Sequence, residues 1–399
     1  MPLFWLFLAS LLGAFLRYYQ LDPVAGVNFQ YWVHGHSHTA LLGWGFTAFF
    51  VLIIYQLFPH YRQSKPLNFW FWGTQISVAG MALTFPFQGY GLYSIIFSTI
   101  HLLLFYGWVF WLYKKENPRS AGDKSSYRYV LFTAFFFMLV SSLGPWSLGV
   151  LSTQDMQMSP LYDLSIQFYL HFLIEGWLVL AIVALFLGRL QLTEGILPQK
   201  SYYLWGYGLA LFLLFGLYPA NAYDNQLWSY VALLGGIIQV LIIGGLMKEE
   251  KPLLRQLWQI TPLPFIAKIA FGAVLLKALF QLAVALPFTS ADLIGLQPLK
   301  VGYLHLVLLG FFTLTTLLLY GIAGFLNLKY CKTARWSIKV FLSAAALHIV
   351  ILLVQGLLIH YFGLQLPAYA AMLFISGVGM VMAIAGILVS AIKRGQAPD

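Results

Sequence analysis

The chain has 399 residues, 61% of them hydrophobic and only 9% charged, with a mean hydropathy of +0.81. A soluble domain carries about a quarter charged residues, so that class is excluded. The one cysteine, Cys331, excludes a disulfide framework and any multi-cysteine metal site.

Apolar runs of spanning length recur from one end to the other, each able to cross a hydrocarbon core of ~30 Å. The composition predicts an all-α polytopic membrane protein of about twelve spans. They fall near 2–20, 34–57, 68–88, 91–113, 128–150, 161–188, 202–220, 227–247, 263–288, 301–326, 335–361 and 366–392. The first span opens without a basic segment and shows no small-residue cleavage site, so it reads as a retained helix. No low-complexity linker or composition break divides the chain. Residues 1–399 therefore read as a single twelve-helix membrane domain.

The net charge of +10 invites a nucleic-acid reading, but its distribution argues against one. Arg62, Lys65, Lys114, Lys115, Arg119, Lys124 and Arg128 lie in or beside alternate connections. So do Arg189, Lys200, Lys248, Lys251, Arg255, Lys329, Lys332, Arg335 and Lys339, with Lys393 and Arg394 at the C-terminus. The other connections carry Asp22, Asp155, Asp224 and Asp292, with Arg17 and Lys300 as nearby bases. This is the positive-inside bias, and it predicts that both termini are cytoplasmic. The partner that composition implies is the lipid bilayer, not nucleic acid.

That orientation gives the histidines a depth. His34-Gly35-His36-Ser37-His38 opens the second span, with His38 expected about one turn inside. The tenth span also runs inward and places His305 at a similar depth. The stretches HTALLGWGF and HLVLLGFFT share the histidine, Leu-Leu-Gly and a following aromatic. Two imidazoles at one depth on two inward-running helices suit the axial positions of a single heme. Gly43, Gly45 and Gly310 would let a flat macrocycle approach the backbone. The plainer alternative is that each histidine is bonded to a neighbour at the interface.

In the sixth span, YLHFLIEGWLVL places His171 and Glu175 four residues apart on one helix face. A carboxylate and an imidazole at that depth mark a cofactor, proton or substrate site, or a structural pair within the bundle. His101, His348 and Lys277 could line the same pocket. Alternatively, the two histidines bridge helices, and Lys277 snorkels or pairs with a carboxylate. On a helix, His34 and His38 share a face, while His36 points away and could face water. A separate copper or zinc site on His34 and His36 would need ligands from another loop. Arg17 suits a heme propionate or a lipid headgroup, and His34 a propionate or a partner of the liganding ring. His360 receives no role.

These segments resemble heme-copper oxidase subunit I, above all the large subunits of nitric oxide reductases and the C-type oxidases. HTALLGWGFTAFFVLIIYQLFP is similar to that family's second helix, where His-Thr opens the helix and binds the low-spin heme. HFLIEGWL resembles its His-x-x-x-Glu segment, and the tenth span sits where the family has His-x-His. The resemblance implies a heme-copper-oxidase-like bundle in a bacterial inner membrane. It implies one low-spin heme b on His38 and His305, and a quinone or another cytochrome subunit as partner. It also implies a second metal near His171 and Glu175. The departures are specific. Asn221 and Ala222 stand where paired histidines belong, and Tyr303 replaces the ligand of a second heme. A second heme, copper or non-heme iron is therefore doubtful, unless Tyr303 binds iron as phenolate. The leading expectation is an electron-transfer, sensing or assembly protein. An oxidase or nitric oxide reductase acting at His171, Glu175 and Tyr303 is the alternative, and a heme-free transporter or scaffold is a third.

Overall fold

A computed structural model describes residues 1–116, 126–190, 201–286 and 292–395. The expected cytoplasmic loop with Arg119 and Lys124 lies outside these residues, as does Lys200; the side chains of Asp292, Lys393 and Arg394 are likewise not described. The described residues are all-helical in their regular structure.

Twelve rods succeed one another: α1 Pro2–Tyr19, α2 Phe29–Leu57, α3 Lys65–Gln88, α4 Leu92–Glu116, α5 Ser126–Thr153 and α6 Pro160–Arg189. The second half is α7 Tyr202–Tyr223, α8 Gln226–Glu249, α9 Pro264–Val284, α10 Gln297–Ile322, α11 Lys332–Phe362 and α12 Tyr369–Ile392. Eleven of these are long and apolar enough to cross a membrane, so the chain is an integral membrane protein. The exception is α3. Its 24 residues suffice in length, but Thr74, Gln75 and Ser77 are buried polar residues. Their partners explain them. Gln75 accepts from the Trp5 indole at 2.7 Å and donates to Thr47 at 3.1 Å, which ties α3 to α1 and α2. A polar face turned into the bundle lowers mean hydropathy without forfeiting burial.

Between α8 and α9, Lys251–Ile260 forms a short amphipathic helix inside a stretch that the sequence reading leaves as a connection. Prolines at helix starts set several other boundaries, including Pro2, Pro160 and Pro264.

Burial separates three rods from the rest. In α2, α6 and α10, 72%, 89% and 67% of the apolar stretch is buried, whereas no other candidate span exceeds 50%. These three form the hub. Their surroundings are interlocked aromatics: Phe49 packs edge-on against both Trp177 of α6 and Phe312 of α10. The same three rods share a backbone irregularity. Each begins as an α-helix and then passes into a π-helical segment: Thr39–Phe46, Phe172–Leu178 and Leu306–Thr313. Long π-helical runs are rare and concentrate at functional sites. In each rod the residue just before the π-segment is a histidine: His38, His171 and His305.

Candidate functional site: two histidine clusters and a buried ion pair

The second rod starts earlier than expected. Asn28 caps it, accepting from the backbone N–H groups of Gln30 and Tyr31, and Phe29 is the first helical residue. His34 is therefore inside the helix rather than at its lip. His38 is the last of ten α-helical residues, and His305 the last of nine in α10. Both lie more than two turns into their helices, not one, at nearly the same count from the helix start.

The rods also share a reference point. Below the histidines, the Trp44 indole donates to Thr313 Oγ1 at 3.1 Å and its ring packs edge-on to Phe312. His38 is six residues above Trp44 and His305 eight above Thr313, each separated from that contact by its π-helical segment. Above that contact the rods part. The α-helical start of α2 packs on α1 and α3, and that of α10 packs on α11.

Each ring is oriented by its own helix. His38 Nδ1–H donates to the His34 carbonyl at 2.9 Å, and His305 Nδ1–H to the Val301 carbonyl at 2.7 Å. A carbonyl only accepts, so the proton sits on Nδ1 in both rings. In a neutral imidazole this leaves the Nε2 lone pair free, and no hydrogen bond from the described residues engages it in either ring. A fixed Nδ1–H with a free Nε2 is the state in which histidine binds metal. The donor set therefore fits a heme iron. Both rings are half-buried, and no ring contact or hydrogen bond joins one directly to the other.

Their neighbours differ. His38 stacks on Phe85 at 4.1 Å, with Tyr90 and His34 around it. His305 lies 5.3 Å from the His348 ring, within electrostatic reach of Arg17 and His36. Arg17 reaches His348 Nε2 at 3.4 Å and Gln20 at 3.3 Å. It is thus held by protein groups and stands beside the His305 cluster.

The expectation that His36 could face water is corrected. Its Nδ1–H donates to the Ala9 carbonyl at 2.9 Å, and its ring packs where Gly13 has no side chain; a Cβ there would lie 3.0 Å away. The missing Cβ lets α1 close on α2. No group of three or more His, Cys, Asp or Glu able to hold a metal occurs among the described residues, so His34 and His36 gain no further such ligand. His101 and His348 take the plainer role, bridging helices. His101 Nδ1–H donates to Ser77 Oγ at 2.9 Å, and His348 Nδ1–H to Ser376 Oγ at 2.8 Å. Each serine already donates to a backbone carbonyl, which fixes these directions.

The sixth rod builds a different site. His171, Glu175 and Tyr303, grouped in the alternative sequence reading, line one cavity of about 70 Å³. One water needs roughly 10–15 Å³ on such a scale, so the cavity has room for several. Glu175 does not bond His171. Its carboxylate forms an ion pair with Lys277 of α9 and accepts a hydrogen bond from the Tyr303 hydroxyl. Glu175 and Lys277 are each only 2% exposed. Of the alternatives for Lys277, pairing is the one realised. His171 Nε2–H donates to the Leu211 carbonyl at 2.9 Å, and its buried Nδ1 has no partner among the described residues.

Three residues here escape the sequence reading. Tyr207 donates to the Glu175 carbonyl at 2.9 Å, Tyr218 lines the cavity, and Gln281 directs a buried, unpartnered Oε1. Only Gln281 carried a signal, standing four residues from Lys277 on the same face of α9.

The donor set at this second site does not fit a copper or non-heme iron. It offers one open donor, His171 Nδ1, because Nε2–H is bonded to a backbone carbonyl, Glu175 is neutralised by an ammonium, and Tyr303 hydrogen-bonds the carboxylate. Asn221 and Ala222 supply no imidazole. No known protein family matches the chain, and no curated protein matches it.

Proposed function

We propose that this chain is a b-type heme protein of a respiratory membrane, built on a bundle of the heme-copper oxidase subunit I type. His38 and His305 bind one low-spin heme, and the protein's work is electron transfer or heme-dependent sensing or assembly. The observation that carries this reading is the matched pair of imidazoles. Both stand on the rod above a π-segment, both commit Nδ1–H to the carbonyl four residues back, and both keep Nε2 free. A heme held by two imidazoles supplies a one-electron carrier with no open coordination position.

The chain's own residues account for binding and orientation. The two carbonyl bonds fix each ring. Trp44 and Phe312 close the space below, where the rods meet. Arg17, beside the His305 cluster, is the cation available to a heme carboxylate. The basic connections support cytoplasmic termini, and the resemblance supports a bacterial inner membrane with a quinone or a cytochrome subunit as the partner class. A second reading, reduction of dioxygen or nitric oxide at His171, Glu175 and Tyr303, draws on their convergence at one cavity. It requires a metal for which those residues offer one free donor, His171 Nδ1.

The test is a reduced-minus-oxidised spectrum of the purified protein, with heme quantified per chain. One low-spin b heme is expected, lost in both H38A and H305A and retained in H36A and H348A. Loss in H36A or H348A alone would reassign the ligands. A heme-free wild-type protein would overturn the reading.

A further inference from the structure

Glu175, on the wall of the cavity between α6, α9 and α10, is paired with Lys277, which stands behind that wall; the lysine on the wall itself is Lys300. We propose that Lys277 is the resident cation of Glu175. It occupies the place on Glu175 that a metal ion would take, and its removal uncovers a transition-metal site formed by His171, Glu175 and Tyr303.

The argument starts from charge. A carboxylate at this depth is costly unless a counter-charge accompanies it. Glu175 has that counter-charge in the Lys277 ammonium, and its second interaction is the Tyr303 hydroxyl. Three sides of the site are thereby supplied by three rods, α6, α9 and α10. A divalent ion on the same carboxylate would sit against the ammonium in a medium of low effective dielectric, where like charges repel strongly. Ammonium and metal therefore exclude one another.

The second line is the donor inventory. His171 holds its proton on Nε2, so Nδ1 carries a lone pair, and that atom is buried, unpartnered and on a residue lining the cavity. Gln281 Oε1 is another buried acceptor without a partner on the same wall. Two acceptors on this wall thus lack a hydrogen among the described residues, and Lys300 and Tyr218 share the cavity with them. Removing the ammonium leaves an imidazole nitrogen, a carboxylate and a phenol oxygen. This N,O set suits zinc, cobalt or iron(II) more than soft copper(I). The inference is independent of heme at His38 and His305.

The experiment uses the full-length protein in detergent, titrated with Co²⁺ and Zn²⁺. Bound metal is counted by mass spectrometry, and heme is counted separately in the same samples as its pyridine complex. Wild-type protein is expected to hold far less than one cobalt per chain. Lys277→Ala should gain close to one, with the visible bands of a low-symmetry Co²⁺ site, and Lys277→Ala combined with His171→Phe should lose it again. Lys277→Gln, which keeps a neutral donor to Glu175, serves if the alanine variant does not fold. Stoichiometric metal in the wild type that His171→Phe removes would overturn the proposal. So would folded Lys277→Ala and Lys277→Gln proteins that both take up no cobalt. Heme content tests the other reading and is expected to stay constant throughout.

Discussion

His38 and His305 on one side, and His171 on the other, occupy the same place in their rods, yet their rings are wired in opposite senses. The first two donate from Nδ1 to their own helix and present Nε2 outward. His171 donates from Nε2 to the Leu211 carbonyl of a neighbouring rod and keeps Nδ1 close to its own backbone. Which nitrogen is left free decides what the ring can do. A free Nε2 stands at the tip of the side chain and can reach a group lying between rods. A free Nδ1 is recessed and serves only what enters the cavity beside it. The contrast extends to charge. The outer pair has histidines, Tyr90 and Arg17 for ionisable company, whereas His171 sits beside a complete ion pair.

The sharpest way to break this comparison is to exchange the fates of the rings. His305→Ala should abolish the low-spin heme spectrum, while His171→Phe should leave it intact. A spectrum that survives the first and is lost in the second would mean the assignment is inverted. Next in size is the ion pair. Glu175→Gln and Lys277→Met alone should each cost about 3–5 kcal/mol, because each strands a buried charge, and the double variant should cost far less. Thermal unfolding in detergent reads this, and additive losses would show that the two groups do not act as a pair.

A smaller effect is expected at the shared reference point of α2 and α10. Trp44→Phe removes the indole donor to Thr313 and should cost about 0.5–1.5 kcal/mol, with a loss of heme occupancy if that contact sets the height of the two rings. Tyr61 sharpens the comparison from outside both sites. It lies in the connection after α2, donating to Glu116 at 2.8 Å. Burial, reinforced by that bond, pushes its hydroxyl up to about 12. A raised value favours the neutral folded form, so this contribution is intact below pH ~10 and lost as pH rises toward 12. Tyr61→Phe should flatten the alkaline end of the stability profile and leave the spectrum unchanged.

What the sequence disclosed follows from what each signal depends on. Span positions come from composition, which local windows capture, and eleven of the twelve expected spans fall within four residues of their rods at both ends, α2 being the exception. The early start of α2 was hidden because Phe29-Gln30-Tyr31-Trp32 is too polar to extend an apolar window, although Asn28 is a cap by type. α3 was legible as a span because its polar residues are few, but its reason for being polar was not. Gln75 meets Trp5 across 70 positions. The depth match of His38 and His305 was legible because two similar stretches stand at the same end of inward-running spans. The wiring of His171 was not, since its acceptor is a backbone carbonyl on another rod. The Lys277–Glu175 pair joins residues 102 positions apart, and each alone reads as an isolated costly charge. The π-helical segments left no trace, because rods buried on all sides lack the 3.6-residue alternation that would reveal a change of pitch.

Those segments carry a consequence for how such a chain tolerates change. In an ordinary helix, deleting one residue turns everything beyond it by about 100° and points every later side chain at a new neighbour. In a π-helical turn the hydrogen bond spans one residue more than in an α-helical turn. A deletion inside Thr39–Phe46, Phe172–Leu178 or Leu306–Thr313 can be absorbed by tightening that turn, while both ends of the rod keep their facing. The three hub rods, the most buried in the molecule, are thus the ones with a spare residue of register. Length variation in this fold would be accommodated at its centre, immediately below the histidines, as well as in its loops.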